Sequence, residues 1–247
     1  MTTASSFLSI GGGRRLACVS SAGRSPAIVF LPGYMSDMTG SKALALEAWA
    51  RAAGRAFLRF DYGGCGASPG VFEEQSLADW RGDAIAMIDS VAPEHVILVG
   101  SSMGGWIMLL AALARPERVA GLIGIAAAPD FTDWGFSAEE KAVIARDGRL
   151  VQPTEYGDQP YVTSRAFFDS GETLRLLGGE IAIDCPVRLL HGQADPDVPH
   201  TVSLSLAERL RSADVQTILI KDGDHRLSRP QDIALLAATL THMLESL

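Results

Sequence analysis

Cysteine is scarce: Cys18, Cys65 and Cys185 are the only three in 247 residues. An odd number at wide spacings supports neither a disulfide framework nor a zinc or redox pair, and a reducing compartment fits best. Cys65 stands in a glycine-rich stretch and reads as a small filler in a turn. Basic charge is also short, with 21 Lys and Arg against 29 Asp and Glu and a net charge of −8. An acidic chain repels a phosphate backbone, which argues against a nucleic-acid partner. Arg14-Arg15 is the only adjacent basic pair, so no patch for an anionic membrane surface is visible. Long apolar runs are missing too. The longest, residues 106–114, falls far short of the roughly 20 residues that a spanning helix needs. Residues 7–10 are apolar but follow no basic segment, so they do not read as a signal peptide. Together these absences predict a soluble, cytoplasmic protein without a transmembrane segment.

What is present is an ordinary globular balance, 47% hydrophobic and 20% charged. The length suffices for one α/β domain with a sizeable core and no covalent staple. Short apolar runs alternate with helical periodicity. Residues 27–31 (AIVFL), 56–60 (AFLRF), 96–100 (VILVG), 119–125 (VAGLIGI), 187–191 (VRLLH) and 215–220 (VQTILI) read as buried parallel strands. Helices are expected over 41–53, 76–91, 103–115, 201–211 and 230–247. The third is apolar nearly all round and should lie at the centre. Strands alternating with helices predict a doubly wound, mostly parallel sheet. The first 25 residues read as an antiparallel strand pair about Gly11-Gly12-Gly13.

Residues 129–180 break the alternation. They carry Trp134, Phe136, Tyr156, Tyr161, Phe167 and Phe168 among many turn residues, with no convincing buried strand. The stretch is too long for a plain connection. It reads as a small helical cap inserted into a core made of 1–128 and 181–247, above the sheet edge where ligands bind in open α/β folds.

Gly100-Ser101-Ser102-Met103-Gly104 has the form Gly-x-Ser-x-Gly. Alone that pattern is weak, but an apolar strand runs into it and an apolar helix runs out. This is the strand–turn–helix setting of a nucleophile elbow, with Ser102 as nucleophile and Ser101 as its inert neighbour. The glycines belong where a Cβ would clash across a tight turn. The turn presents the hydroxyl at a helix amino end, whose free N–H groups suit a developing oxyanion.

A serine nucleophile needs a base, and the base an orienting acid. His225, in the polar stretch Lys221-Asp222-Gly223-Asp224-His225 after the last strand, is placed to be the base. His95 precedes a strand at the far end of the sheet. His242 lies in the last helix, His200 starts a helix, and His191 ends a strand as a structural residue. The acid is expected in the stretch from His191 to Pro199, of the form His-Gly-x-x-Asp-x-x-Val-Pro. Asp195 is the first choice and Asp197 the second. The oxyanion donors are expected to be the backbone N–H groups of Met103 and Tyr34, leaving both side chains free to shape a pocket with Trp134 and Phe136. The glycine-rich stretch 61–68 lacks a Lys-Ser/Thr pair and the Gly-x-Gly-x-x-Gly spacing, so it reads as a structural turn, not a phosphate cradle.

These motifs together resemble the α/β-hydrolase superfamily over nearly the full length. The matching residues are Leu31-Pro32-Gly33-Tyr34, Asp61-x-x-Gly64-x-Gly66-x-Ser68, Gly100-x-Ser102-x-Gly104, His191-Gly192-x-x-Asp195-x-x-Val198-Pro199 and Asp224-His225. Pro32-Gly33 departs from the His-Gly of many members, which leaves a main-chain oxyanion donor intact. Phe30 to Ser36, Ser41-Lys42-Ala43, Arg59-Phe60-Asp61-Tyr62 and Asp222 to Arg226 look like the subfamily of the mitochondrial palmitoyl-protein thioesterase that also cleaves acyl glucuronides. The resemblance implies hydrolysis of esters or thioesters, on small molecules or acyl-proteins, by a triad of Ser102, Asp195 and His225 through an acyl-enzyme. No metal or organic cofactor is needed. An acyltransferase using the same triad, or a ligand-binding protein that kept only the fold, are the alternatives. The sequence leaves the oligomeric state open.

Overall fold

The computed structural model describes residues 5–91, 94–154 and 160–247. The chain opens with β1 (Ser6–Ser9), β2 (Arg15–Ser21) and β3 (Arg24–Leu31), then α1 (Ser41–Ala52), β4 (Arg55–Phe60), α2 (Leu77–Ser90) and β5 (Val96–Ser101). It continues through α3 (Met103–Ala114), β6 (Val119–Ile125), α4 (Phe131–Trp134), α5 (Ala138–Asp147), β7 (Arg149–Gln152), β8 (Tyr161–Ser164) and α6 (Arg165–Thr173). It ends with β9 (Val187–Gly192), α7 (Thr201–Arg209), β10 (Val215–Ile220) and α8 (Pro230–Ser246).

Eight strands form one sheet in the order β1-β2-β4-β3-β5-β6-β9-β10. β1 pairs antiparallel with β2, and β2 antiparallel with β4; the other pairings are parallel. Side chains alternate across each strand, so one apolar run feeds two cores. Ala27, Val29 and Leu31 of β3 and Leu98 of β5 pack with Trp80 and Met87 of α2, Trp106 and Ile107 of α3, and Leu206 of α7. Ile28, Phe30, Ile97 and Val99 pack on the other face with Leu46 of α1 and Leu236, Leu240 and Met243 of α8. The central helix α3 is buried from Met103 to Ala112, as its continuous apolar sequence requires. Trp80 and Trp106 are fully buried, and truncating either to Ala costs about 3–5 kcal/mol at sites of this kind.

Helix starts follow local chemistry. Ser76 caps α2 and Ser137 caps α5, each in a reciprocal box with Asp79 and Glu140 respectively. Pro230 occupies the first turn of α8, where its missing N–H costs nothing.

Two expectations are corrected. β10 was expected as a buried strand, yet it alternates between half-buried and exposed positions. It is the last strand of the sheet, and an edge strand has a neighbour on one side only. The stretch between β6 and β9 is not purely helical. β7 and β8 pair antiparallel as a separate two-stranded sheet. Each has four residues, too short for a periodicity signal. Tyr156 lies outside the described residues.

This stretch is anchored at both ends. Asp130 accepts hydrogen bonds from the N–H groups of Leu176 (2.8 Å) and Leu177 (2.7 Å), tying its entry to its exit. Trp106 Nε1 donates to the Leu174 carbonyl at 3.2 Å, and Ala78 N to Ser170 Oγ at 3.0 Å. Phe167 of α6 is buried against the core below.

Candidate active site

Ser102 joins β5 to α3 with φ 55° and ψ −121°, a region that non-glycine residues rarely enter. Such a conformation costs on the order of 1–3 kcal/mol and persists only where its surroundings hold it. Here Ser102 N donates to Ile125 O of β6 at 2.9 Å, and Ala128 N and Gly105 N donate to Ser102 O at 3.1 and 2.9 Å. A Cβ on Gly104 would meet the carbonyl oxygens of Leu31 and Pro32 at 2.2 and 2.5 Å, so only glycine lets α3 start this close to β3.

His225 follows β10 on a loop held against β9. A Cβ on Gly192 would meet Gly223 O at 2.1 Å, and Ala194 N donates to that same oxygen at 3.0 Å. The close approach brings the loops carrying Asp195 and His225 together. His225 Nδ1 and Asp195 Oδ2 are 2.8 Å apart, and His225 Nε2 lies 3.1 Å from Ser102 Oγ. A carboxylate can only accept, so Nδ1 carries the proton and Nε2 faces the serine as acceptor. The Asp195 side chain is fully buried and that of His225 nearly so.

Asp195 is solvated by the protein in place of water. Its Oδ1 accepts from the N–H groups of Asp197 and Val198, both at 2.9 Å. Burial pushes its pKa up, but hydrogen bonds from His191, His225 and Val198 outweigh that and hold the carboxyl well below the usual carboxylate range. Asp197, the second candidate for the acid, sits on the exposed part of the same loop. The structure brings Asp195, not Asp197, onto His225 Nδ1.

The two N–H groups expected as oxyanion donors belong to segments that adjoin Ser102. Met103 is the first residue of α3, and the loop after β3 passes Ser102 so closely that a Cβ on Gly33 would touch the Ser102 Cβ at 3.4 Å. Neither the Met103 nor the Tyr34 N–H donates to a backbone acceptor among the described residues.

A cavity of about 490 Å³ opens over Ser102. Its lining includes the aromatic residues Tyr34, Phe131, Trp134, Phe136 and Tyr161 and the polar residues Ser36, Asp37, Lys42, Arg226 and Ser228. Trp134 and Phe136, the residues expected to bind substrate, are both among the lining residues. Tyr34 packs at 4.8 Å against Phe167 and 5.2 Å against Phe72 between ring centroids, and its hydroxyl donates to Val162 O of β8 at 2.6 Å. Burial raises its pKa. The Met103 side chain does not shape the pocket, contrary to expectation. It is buried in the core, because the first turn of α3 points it beneath the sheet edge.

Sequence reasoning missed Phe131 and Lys42 as pocket residues. Asp195, Asp197 and His225 are close enough to be weighed as metal ligands. His225 Nδ1 and Asp195 already bond each other, and a cation there would have to break that bond. The glycine-rich turn closes on protein groups: Asp61 accepts from Met38 N (2.7 Å) and Ala67 N (2.8 Å).

Comparison with known proteins bears on this geometry. The serine aminopeptidase S33 family profile matches residues 24–152. The mitochondrial palmitoyl-protein thioesterase ABHD10 of Homo sapiens is 42% identical over 99% of this chain and 81% of its own length. The Mus musculus protein of the same name is 43% identical over 98% of this chain and 83% of its own. The solved structure of alpha/beta hydrolase domain-containing protein 10 from mouse superposes with a TM-score of 0.92 at 41% identity, covering 99% of both chains. Est1E from Butyrivibrio proteoclasticus, with ferulic acid bound, has a TM-score of 0.81 at 20% identity over 97% of this chain and 98% of that one, a likeness of fold. The expected cytoplasmic location is overturned by these relatives, which are named mitochondrial. A leader that is not visible is weak evidence of an address. No helix of the described residues is long and apolar enough to cross a membrane.

Proposed function

The chain belongs to the α/β-hydrolase family and is an ester or thioester hydrolase, and from that premise we propose that it removes long acyl chains from thiols by a Ser102–His225–Asp195 mechanism. The observation that carries this reading is the hydrogen-bonded run from Asp195 Oδ2 to His225 Nδ1 (2.8 Å) and from His225 Nε2 to Ser102 Oγ (3.1 Å) on a strained elbow.

His225 Nε2 takes the Ser102 proton as Oγ attacks the acyl carbon. The oxygen of the tetrahedral adduct accepts hydrogen bonds from the Met103 and Tyr34 N–H groups. The thiol or alcohol then leaves with the proton from His225. Water, deprotonated by the same nitrogen, attacks the acyl-enzyme and frees the acid. Asp195 holds the imidazole in the required tautomer and stabilises its charged form. Residues 129–180 act as a cap. Phe131, Trp134 and Phe136 give the acyl chain an apolar wall, and the polar lining with Lys42 and Ser228 faces the leaving group. The relatives' name supplies the long acyl thioester; the aromatic wall supports it.

A panel of acyl thioesters and p-nitrophenyl esters of increasing chain length tests the assignment. The expected result is a preference for long acyl chains that shortens in Trp134→Ala/Phe136→Ala, with all turnover lost in Ser102→Ala. A chain-length profile unmoved by the double variant would sink the acyl-wall assignment.

A further inference from the structure

We infer that His191 is a positioning residue of the active site: hydrogen-bonded to Ser203 on α7 and to the Val198 carbonyl, it sets its Nε2 against the Asp195 carboxylate. The inference rests on the Ser102–His225–Asp195 reading above.

His191 stands next to the end of β9, and both it and Ser203 are completely buried. Its Nδ1 lies 2.7 Å from Ser203 Oγ. Its Nε2 lies 2.9 Å from the Val198 carbonyl oxygen and 3.3 Å from Asp195 Oδ2. A carbonyl and a carboxylate both accept only, so the ring proton facing them sits on Nε2. Nδ1 is then left to accept the Ser203 hydroxyl. That hydroxyl donates to Nδ1, in keeping with the tautomer that the acceptors on the other side of the ring require.

The Nε2–H gives its shorter bond to Val198 O and its longer reach to Asp195. Val198 closes the loop from the other direction, its own N–H donating to Asp195 Oδ1 at 2.9 Å. One imidazole thus holds both the carboxylate and the residue that wraps it. A purely structural histidine would be satisfied by Ser203 and Val198 alone. Here the third contact falls on the same Oδ2 that accepts the hydrogen bond of His225 Nδ1. The chain runs from α7 through β9 to the acid, the base and the nucleophile: Ser203, His191, Asp195, His225, Ser102. Small misplacements of groups around a reacting centre cost about 100-fold per ångström, so support behind the acid carries kinetic weight.

The other titratable and charged groups about this pair are Asp197 on the acid loop, Asp224 and Arg226 beside His225, and Lys42, whose amine donates to Arg226 O. None of them is altered by the variants below.

The test compares wild type, His191→Phe, His191→Gln and Ser203→Ala by kcat and KM across pH, with thermal unfolding alongside. The expected result is a kcat about 10-fold lower in His191→Phe with KM unchanged. The acidic limb of kcat/KM moves to higher pH, because Asp195 stripped of a donor presents more of its charge to His225. His191→Gln keeps an N–H and recovers both, and Ser203→Ala falls between. If His191→Phe does not fold, Ser203→Ala decides by the same two readouts. An acidic limb and kcat unmoved in every folded variant overturn the inference. So do losses that track the melting temperature alone, with Gln no better than Phe. Turnover persisting in Ser102→Ala would instead overturn the triad itself, whatever His191 does.

Discussion

Tyr34→Phe removes one atom at the junction between the loop after β3, which carries the proposed oxyanion donor, and the β7–β8 pair. The ring stays, so its edge and tilted contacts with Phe72, Trp80, Phe131, Tyr161 and Phe167 are kept. What goes is the 2.6 Å hydrogen bond to Val162 O, a half-buried carbonyl left without this donor. A bond of this kind contributes about 1 kcal/mol net, and rather more if water cannot replace the hydroxyl. In a chain of this size that lowers the melting temperature by roughly 2–4 °C. The kinetic effect follows from Tyr34 N, the proposed oxyanion donor, being on the same residue. Loosening it weakens an interaction made in the transition state, so kcat and kcat/KM fall together, by about 10-fold, with KM unchanged. Tyr34→Ala should be far worse, losing about 3–5 kcal/mol with the ring. Differential scanning calorimetry and steady-state kinetics on one thioester suffice. A Tyr34→Phe enzyme with wild-type melting temperature and wild-type kcat would refute the tether between the β7–β8 pair and the loop after β3.

Two further outcomes follow from the site. Asp195→Asn should lower kcat by about 1,000- to 10,000-fold, since an amide can present an N–H to His225 and invert its tautomer, whereas Asp197→Asn should retain near-normal turnover; equal losses in both would undo the choice of acid. Burial, aided by Arg226, pulls the Lys42 amine down to about 8, against the opposing charges of Asp224 and Asp232. The folded chain therefore releases this proton before the unfolded chain does, whose lysine titrates near about 10.4. Between those values the unfolded state binds more protons, so stability rises with pH; below the lower value the cost of burying the charge is fully present. Urea unfolding at several pH values should show Lys42→Met more stable than wild type at neutral pH, the gap narrowing as pH rises through that window; a constant gap would contradict it.

The elbow was legible because it rests on constraints visible in one dimension. A strand must run in, a helix must run out, and Gly104 must lack a Cβ where α3 meets the Leu31 carbonyl. His225 was legible because it lies just past the last strand. The motif ranks Asp195 above Asp197 but does not exclude the second: they stand two residues apart on one loop, and the fold turns Asp195 toward His225. The β7–β8 pair was invisible because four residues per strand carry too little periodicity. The edge position of β10 was hidden for a different reason. Its apolar composition resembles that of a central strand, and sheet order is a property of the whole chain. Met103 shows the limit at a single residue: its N–H was placed by the motif, but the direction of its side chain was set by the packing of α3.

The central claim is that Ser102 forms the acyl-enzyme. Trapping with a fluorophosphonate probe followed by peptide mass spectrometry tests it directly. The expected result is a single adduct on Ser102, formed rapidly in wild type, slowed strongly in His225→Ala and absent in Ser102→Ala. An adduct on Ser101 or elsewhere, or undiminished labelling of Ser102→Ala, would contradict it.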